Sequence, residues 1–186
     1  MIDILEDRID TPIGPLVLLA RDGAIVCLEF DDQPQRIARE LGPRFGICRT
    51  VRKNNPFGLS QAVRDYFAGR LAAIDDVLAE GGGTPFQQRV WSELRRIPAG
   101  QAISYRELAG RAGNPEAVRA AGAVNGRNPI SIVVPCHRVI GSDGSLTGYG
   151  GGIARKRWLL EHEGYFASVP RATPRPGREN PAFVER

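Results

Sequence analysis

The chain has 186 residues, 42% of them hydrophobic and 25% charged, enough for one domain or two small ones with real cores. Three widely spaced cysteines, two histidines and no CxxC or HExxH motif point away from a disulfide framework and from a zinc site, and no apolar run approaches the ~20 residues of a membrane helix. The net charge of +4 is uneven: residues 1–83 carry 10 basic and 13 acidic side chains, residues 84–166 carry 11 and 6. The second half is therefore where a polyanion would be met, although a solvated basic surface without a partner fits the charge equally well.

The opening MIDILEDRID is acidic and alternating, unlike a secretory signal, so a cytoplasmic protein with reduced thiols is expected. IDILEDRID, PLVLLA and AIVCLEF are short β-rich runs separated by TPIG and RDG turns, which predicts a small antiparallel meander. PQRIAREL predicts a helix over 34–41, stopped by Gly42 and Pro43. A second helix is expected over 60–69, where Val63, Tyr66 and Phe67 share a face that can pack on the sheet. Nothing in these eighty residues forms a catalytic constellation.

Three glycines at 81–83 mark the expected domain boundary. Thr84 can cap a helix with Pro85 at its first position, Phe86, Val90 and Leu94 on one face and Trp91 beside them. SYRE, from Ser104 to Glu107, fits a capping box. The helix it opens breaks at Gly113, and NPEAVRAAGAVNG predicts another from Asn114 to about Gly126. Two short helices around a glycine corner form a helix-turn-helix pattern. On the second helix, Arg119 lies among Gly122, Ala123, Ala120 and Ala121, so the helix can approach another surface closely; a packed core helix with one exposed arginine has the same spacing.

IVVPCHRVIG carries an apolar run, expected to be a buried strand, into Pro135, Cys136, His137 and Arg138. A thiol needs ionisation to act as a nucleophile, and a histidine oriented by a carboxylate can supply the base. Adjacent residues of a regular strand point to opposite faces, so this pair needs a turn or a bridging water. Either Glu163 or Asp143 could be the carboxylate, and an inert buried cysteine beside a hydrogen-bonded histidine is the simpler alternative. Downstream, glycines surround Tyr149, and a helix is expected over Ile153–His162 with Ile153, Ala154, Trp158 and Leu160 as its buried stripe and Arg155, Lys156 and Arg157 as a solvated face. Residues 167–186, rich in proline and arginine, are expected to form a flexible tail.

PCHRVIG, GYGGG and RKRWLLEHEG, with SYRELA and NPEAVRAAG upstream, closely resemble the O6-alkylguanine-DNA alkyltransferases over residues 86–164, and more weakly over 1–80. The resemblance implies an RNase H-like α/β domain (1–80, a small antiparallel sheet plus helices), a linker (81–85) and a mainly α domain (86–166) with a winged-helix-like helix-turn-helix. It implies Cys136 as the alkyl acceptor, His137 as a base acting through water, Glu163 as its orienting carboxylate, Asn128 as the tie between recognition helix and active-site strand, and Tyr105 as a group that helps protonate the leaving guanine. Arg119 matches a finger that fills the stack, with Ala120, Ala123, Ser104 and Tyr105 against DNA. Val139, Tyr149, Gly150 and Ser131 match the alkylguanine pocket; Ser131 stands where some members have proline, which bears on the bulk the pocket admits. The implied partner is double-stranded DNA with an alkylated guanine, for a monomer with no cofactor, no metal and no obligate protein partner. An alkyltransferase-like lesion binder would lack Cys136. A plain regulator would not explain PCHR with HEG, and a cysteine hydrolase would not explain the DNA-facing helix.

Overall fold

The computed structural model describes residues 2–168, so nearly all of the expected tail lies outside the described residues. The meander forms as expected: β1 (Ile2–Ile9), β2 (Leu16–Arg21) and β3 (Ala24–Phe30) pair antiparallel. Asp22 and Gly23, both at positive φ, close the tight β2–β3 turn. The sheet is nevertheless mixed rather than antiparallel. β4 (Cys48–Arg52) joins it parallel to β1, giving the order β3-β2-β1-β4. CRTVR buries no side chain fully, so only its backbone ladder makes it a strand and no apolar alternation announces it.

Helix α1 (Pro34–Phe45) does not stop at Gly42-Pro43 but continues one turn past it. Ile37, Leu41 and Phe45, four apart, pack on Ile4, Leu19, Val26 and Cys27. Arg44 donates to the Val26 carbonyl at 2.9 Å and the Glu80 carbonyl at 2.5 Å. These contacts hold the last turn despite the hydrogen bond that Pro43 cannot donate. Helix α2 (Leu59–Phe67) buries Val63 and Tyr66 as the spacing predicted, with Phe67 packed beside them.

All seven residues of β3 are buried: α1 covers Val26 and Cys27, the main core takes Ile25, Leu28 and Phe30, and main chain from later in the sequence covers the outer edge. Ile25 bridges Ala79, and Leu28 bridges Ile130 through Leu28 N–H to Pro129 O (3.0 Å) and Ser131 N–H to Leu28 O (2.8 Å). One apolar cluster runs from Leu18, Leu28, Phe30 and Tyr66 into Val90, Trp91, Leu94, Ile132 and Leu159.

Helix α3 (Pro85–Arg95) has the Thr84 cap, completed by Gln87 as a reciprocal capping box. Next come β5 (Ile103–Ser104), α4 (Tyr105–Arg111), α5 (Val118–Gly126), β6 (Val139–Ile140, parallel to β5), α6 (Ile153–His162) and α7 (Tyr165–Ser168). Three details differ from expectation. Ser104 caps α4 through Glu107 N–H, but the Glu107 carboxylate takes Arg111 instead of reaching back. α5 begins at Val118, since residues 114–117 close a turn through Ala117 N–H to Asn114 O. The apolar run before Pro135 is a tight turn rather than a strand: Ser131 bridges Val134, and Ile132 sits at φ 74.

Candidate active site

That turn sets the geometry of the site. Pro135 leads into a single 3-10 turn over Cys136–Arg138, whose residues are 4%, 0% and 4% exposed. The chain coils here, so Cys136 and His137 escape the opposite-face geometry of a strand.

Cys136 Sγ accepts from Asn128 Nδ2 at 3.1 Å. The same amide donates to Val134 O (2.7 Å) and Ile130 O (3.3 Å), and its oxygen accepts from Ile130 N–H (3.0 Å). Asn128 thus ties the end of α5 to the turn that carries the cysteine. Burial pushes the Cys136 thiol up to about 11, with the Asn128 hydrogen bond working the other way. Asn125 on α5 adds a donor to the Cys136 carbonyl at 3.3 Å.

His137 places Nε2 2.9 Å from Glu163 Oε1, which settles the choice between the two carboxylates. Asp143 is exposed and caps Ser145 N–H instead. Burial, only partly opposed by Glu163, lowers the imidazole below its ordinary range, so His137 is neutral with Nε2–H donating. Its buried Nδ1 has no hydrogen-bond partner among the described residues and remains an open acceptor.

Glu163, just past α6, gathers four hydrogen bonds. Besides His137, Arg138 Nε donates to Oε2 and Arg138 Nη2 to Oε1, both at 2.8 Å, and the Tyr66 hydroxyl donates to Oε1 at 2.7 Å. Burial acts to raise this carboxyl, but His137 and Arg138 outweigh it and hold it well below the usual carboxylate range. Neither Arg138 nor Tyr66 is singled out by the sequence as a site residue. Arg138 stands within PCHR itself, whereas the spacing of Tyr66 explains no more than packing on the sheet.

Of the supposed solvated face of α6, only Arg157 is exposed. Lys156 is 0% exposed, donates to Val139 O and Thr147 O at 2.5 Å each, and is pushed down to about 8 by burial. Arg155 pairs with Asp32 at 2.8 Å and lies over the Phe30 ring. The buried stripe is Lys156, Leu159 and Leu160, and Ile153 and Ala154 are exposed, contrary to expectation.

Tyr105, at the start of α4, points its hydroxyl at Thr147 O (3.0 Å) and Gly148 O (3.3 Å), with its ring against Gly122 of α5. Val139 is buried; the Tyr149 ring stands edge-on to His137 at 6.5 Å. A Cβ on Gly150 would come 2.7 Å from the Arg36 guanidinium. Arg36 in turn donates to Gly126 O, Asn128 O and the buried Glu29 carboxylate, which lies 3.4 Å from Ser131 Oγ. Glu29 and Arg36 are thus further contributions of the first half that no sequence motif singled out. Arg119, Ala120 and Ala123 lie apart from this buried group, on the exposed face of α5, and Arg119 pairs with no acidic side chain among the described residues.

Residues 85–165 match the model of the 6-O-methylguanine DNA methyltransferase DNA-binding domain. The methylated-DNA–protein-cysteine methyltransferase of Salmonella typhimurium is 51% identical over 169 residues, covering 89% of this chain and 98% of that one. The protein of that name from Mycobacterium bovis is 48% identical over 158 residues, 83% of this chain and 89% of its own. Among solved structures, the O6-methylguanine methyltransferase of Mycobacterium tuberculosis superposes with a TM-score of 0.72 at 41% identity, covering 92% and 97% of the two chains. The same organism's protein in complex with DNA gives 0.73 at 42%, covering 88% and 93%. With half of the aligned residues identical over nearly the full length of both chains, the protein belongs to the methylated-DNA–protein-cysteine methyltransferase family.

Proposed function

We propose that the protein repairs DNA by direct reversal, moving the alkyl group of O6-alkylguanine, and of O4-alkylthymine, irreversibly onto Cys136. The observation that carries this reading is the arrangement around one sulfur. The Cys136 thiol is held by Asn128 at 3.1 Å and followed in the chain by a neutral histidine whose Nε2 is locked on Glu163 and whose buried Nδ1 is an open acceptor among the described residues.

A thiol near 11 is roughly one part in ten thousand thiolate at neutrality. The site therefore works by removing the proton as the bond forms. His137 Nδ1 takes the thiol proton through a water, and Glu163 stabilises the imidazolium. Sγ attacks the alkyl carbon in line, the S–C bond forms as the C–O6 bond breaks, and the departing guanine is protonated with help from Tyr105. A thioether has no good leaving group, so each chain acts once.

Cys136 is 4% exposed, and a base of a duplex reaches it only when flipped from the stack. Arg119 fills the emptied stack through the minor groove, with the small side chains of Ala120 and Ala123, and Ser104 and Tyr105 nearby, lying on the backbone. Val139, Tyr149, Gly150 and Ser131 line the pocket. We assign residues 1–80 to an RNase H-like scaffold and 86–166 to a winged-helix-like acceptor domain joined at 81–85, acting as a cytoplasmic monomer.

The test is to incubate the protein with a duplex containing O6-methylguanine, digest it and weigh the peptides. One methyl group on the Cys136 peptide, with no turnover beyond one equivalent, is expected. An unmodified Cys136 beside an intact lesion overturns the reading, and multiple turnover indicates a hydrolase.

A further inference from the structure

Deep in the core, the first half of the chain reaches the carboxylate that holds His137. Tyr66, on the buried face of α2, is 0% exposed and donates to Glu163 Oε1 at 2.7 Å. That oxygen is the one His137 Nε2 contacts. The phenol can only donate here: burial first, and then the charge of Glu163, push it far above its ordinary range, so it keeps its proton. Its position is over-determined. The ring stands edge-on to Phe67 at 5.3 Å and to His162 at 5.2 Å, and its backbone carbonyl faces His162 Nε2 at 2.8 Å.

We propose that Tyr66 is a positioning residue for the alkyl transfer: its hydroxyl fixes Glu163, draws charge from Oε1, and so sets how readily His137 takes up a proton. The proposal rests on the reading of His137 as the base. The groups facing Glu163 are His137 and Arg138 from the 3-10 turn and Tyr66 from α2; Tyr66 also meets His162 of α6 and the field of Tyr149, and His137 feels Arg138 and Lys156. Arg138 and Lys156 oppose protonation of His137 and Glu163 favours it. Removing the phenol's hydrogen bond leaves the carboxylate more basic at the oxygen His137 uses, so the imidazolium is held more strongly and the proton-accepting form fills at higher pH. The N-terminal half is then part of the catalytic apparatus rather than only a support for it.

The experiment compares full-length wild type with Tyr66→Phe in single-turnover methyl transfer from an O6-methylguanine duplex across pH. Thermal melting and affinity for undamaged duplex are measured alongside. The acidic limb is expected to move up by about one pH unit, giving roughly tenfold slower transfer below it, with the plateau and DNA affinity near wild type. An unmoved limb overturns the proposal, whether the plateau is intact or lowered, because packing loss alone lowers the plateau. NMR titration of the His137 imidazole gives a readout independent of transfer: its pKa is expected to rise in Tyr66→Phe, and an unchanged value also overturns the proposal. If wild type fails to methylate Cys136, the reading of the base fails, while the NMR titration still decides whether Tyr66 tunes His137. Should Tyr66→Phe not fold, 3-fluorotyrosine placed at 66 alone keeps the shape and strengthens the donor. The limb must then move down, and no movement overturns the proposal.

Discussion

Lys156 and Tyr105 meet at a single acceptor: the Thr147 carbonyl takes Lys156 Nζ at 2.5 Å and the Tyr105 hydroxyl at 3.0 Å. The ammonium also lies 5.9 Å from the Tyr105 ring centre. One carbonyl thus links α6, α4 and the segment leading to Tyr149. Lys156→Met keeps the apolar stem but removes both donors to Val139 O and Thr147 O. Methyl transfer is expected to fall by roughly 10- to 100-fold, the cost of about 1–3 kcal/mol in positioning. The stability effect has a defined sign. The buried ammonium, pushed down to about 8, burdens the fold below that pH, and the burden is relieved as pH climbs toward the ordinary lysine range. Urea unfolding should therefore show wild type gaining on Lys156→Met as pH rises above about 8. Subtracting the variant removes the other groups that titrate there.

The same lysine shows why part of the site was illegible in the sequence. The inward stripe of α6 continues past its end as Lys156, Leu159, Leu160 and Glu163, with the helical i, i+3, i+4, i+7 spacing but a charge at each end. A search for apolar periodicity discards both ends and settles on Ile153 and Ala154, which are exposed. Where burial was purely apolar, as for Val63, Val90 and Leu94, spacing sufficed. The PCHR and HEG blocks were readable because their residue types are rare together. Glu29, Arg36 and Tyr66 were not: the first two meet the site through the docking of residues 129–131 on β3, and Tyr66 through the contact of α2 with the end of α6, long-range pairings with no local signature.

Glu163→Gln should destabilise the protein strongly, because Arg138 is left buried without its counter-charge. The expected loss is about 3–5 kcal/mol at neutral pH. The folded carboxyl lies below its unfolded value, so its contribution is present above the unfolded pKa and is lost as pH falls through the folded one. The difference between wild type and variant should be constant down to about pH 5 and shrink below about pH 4. A difference that is flat into strong acid would contradict the ion pairing described.

Asn128→Ala removes an amide whose two ends hold the turn around Cys136 and leaves the Ile130 N–H and Val134 carbonyl buried without it. A stability loss of about 2–4 kcal/mol is expected. The thiol also loses the one hydrogen bond that favours its ionised form, so alkylation of Cys136 by iodoacetamide should move to higher pH. Chemical denaturation and a pH series of thiol labelling, made where the variant stays folded, check the two halves separately.

Arg119→Ala separates the exposed helix from the buried chemistry. Arg119 is exposed on α5 and has no acidic partner among the described residues, so its removal should change stability by less than about 0.5 kcal/mol. If it fills the stack left by a flipped base, it acts only when there is a stack to fill. Transfer from an O6-methylguanine duplex should then fall well beyond what weaker phosphate attraction explains, while reaction with the free alkylated base, which needs no flipping, stays near wild type. Arg119→Lys distinguishes the two contributions, since lysine keeps the charge but not the planar group that can stand in for a base. It should restore duplex affinity more fully than it restores the rate. Equal loss on duplex and free base would place Arg119 in the integrity of the pocket instead, and a full rescue by lysine would reduce it to a phosphate contact.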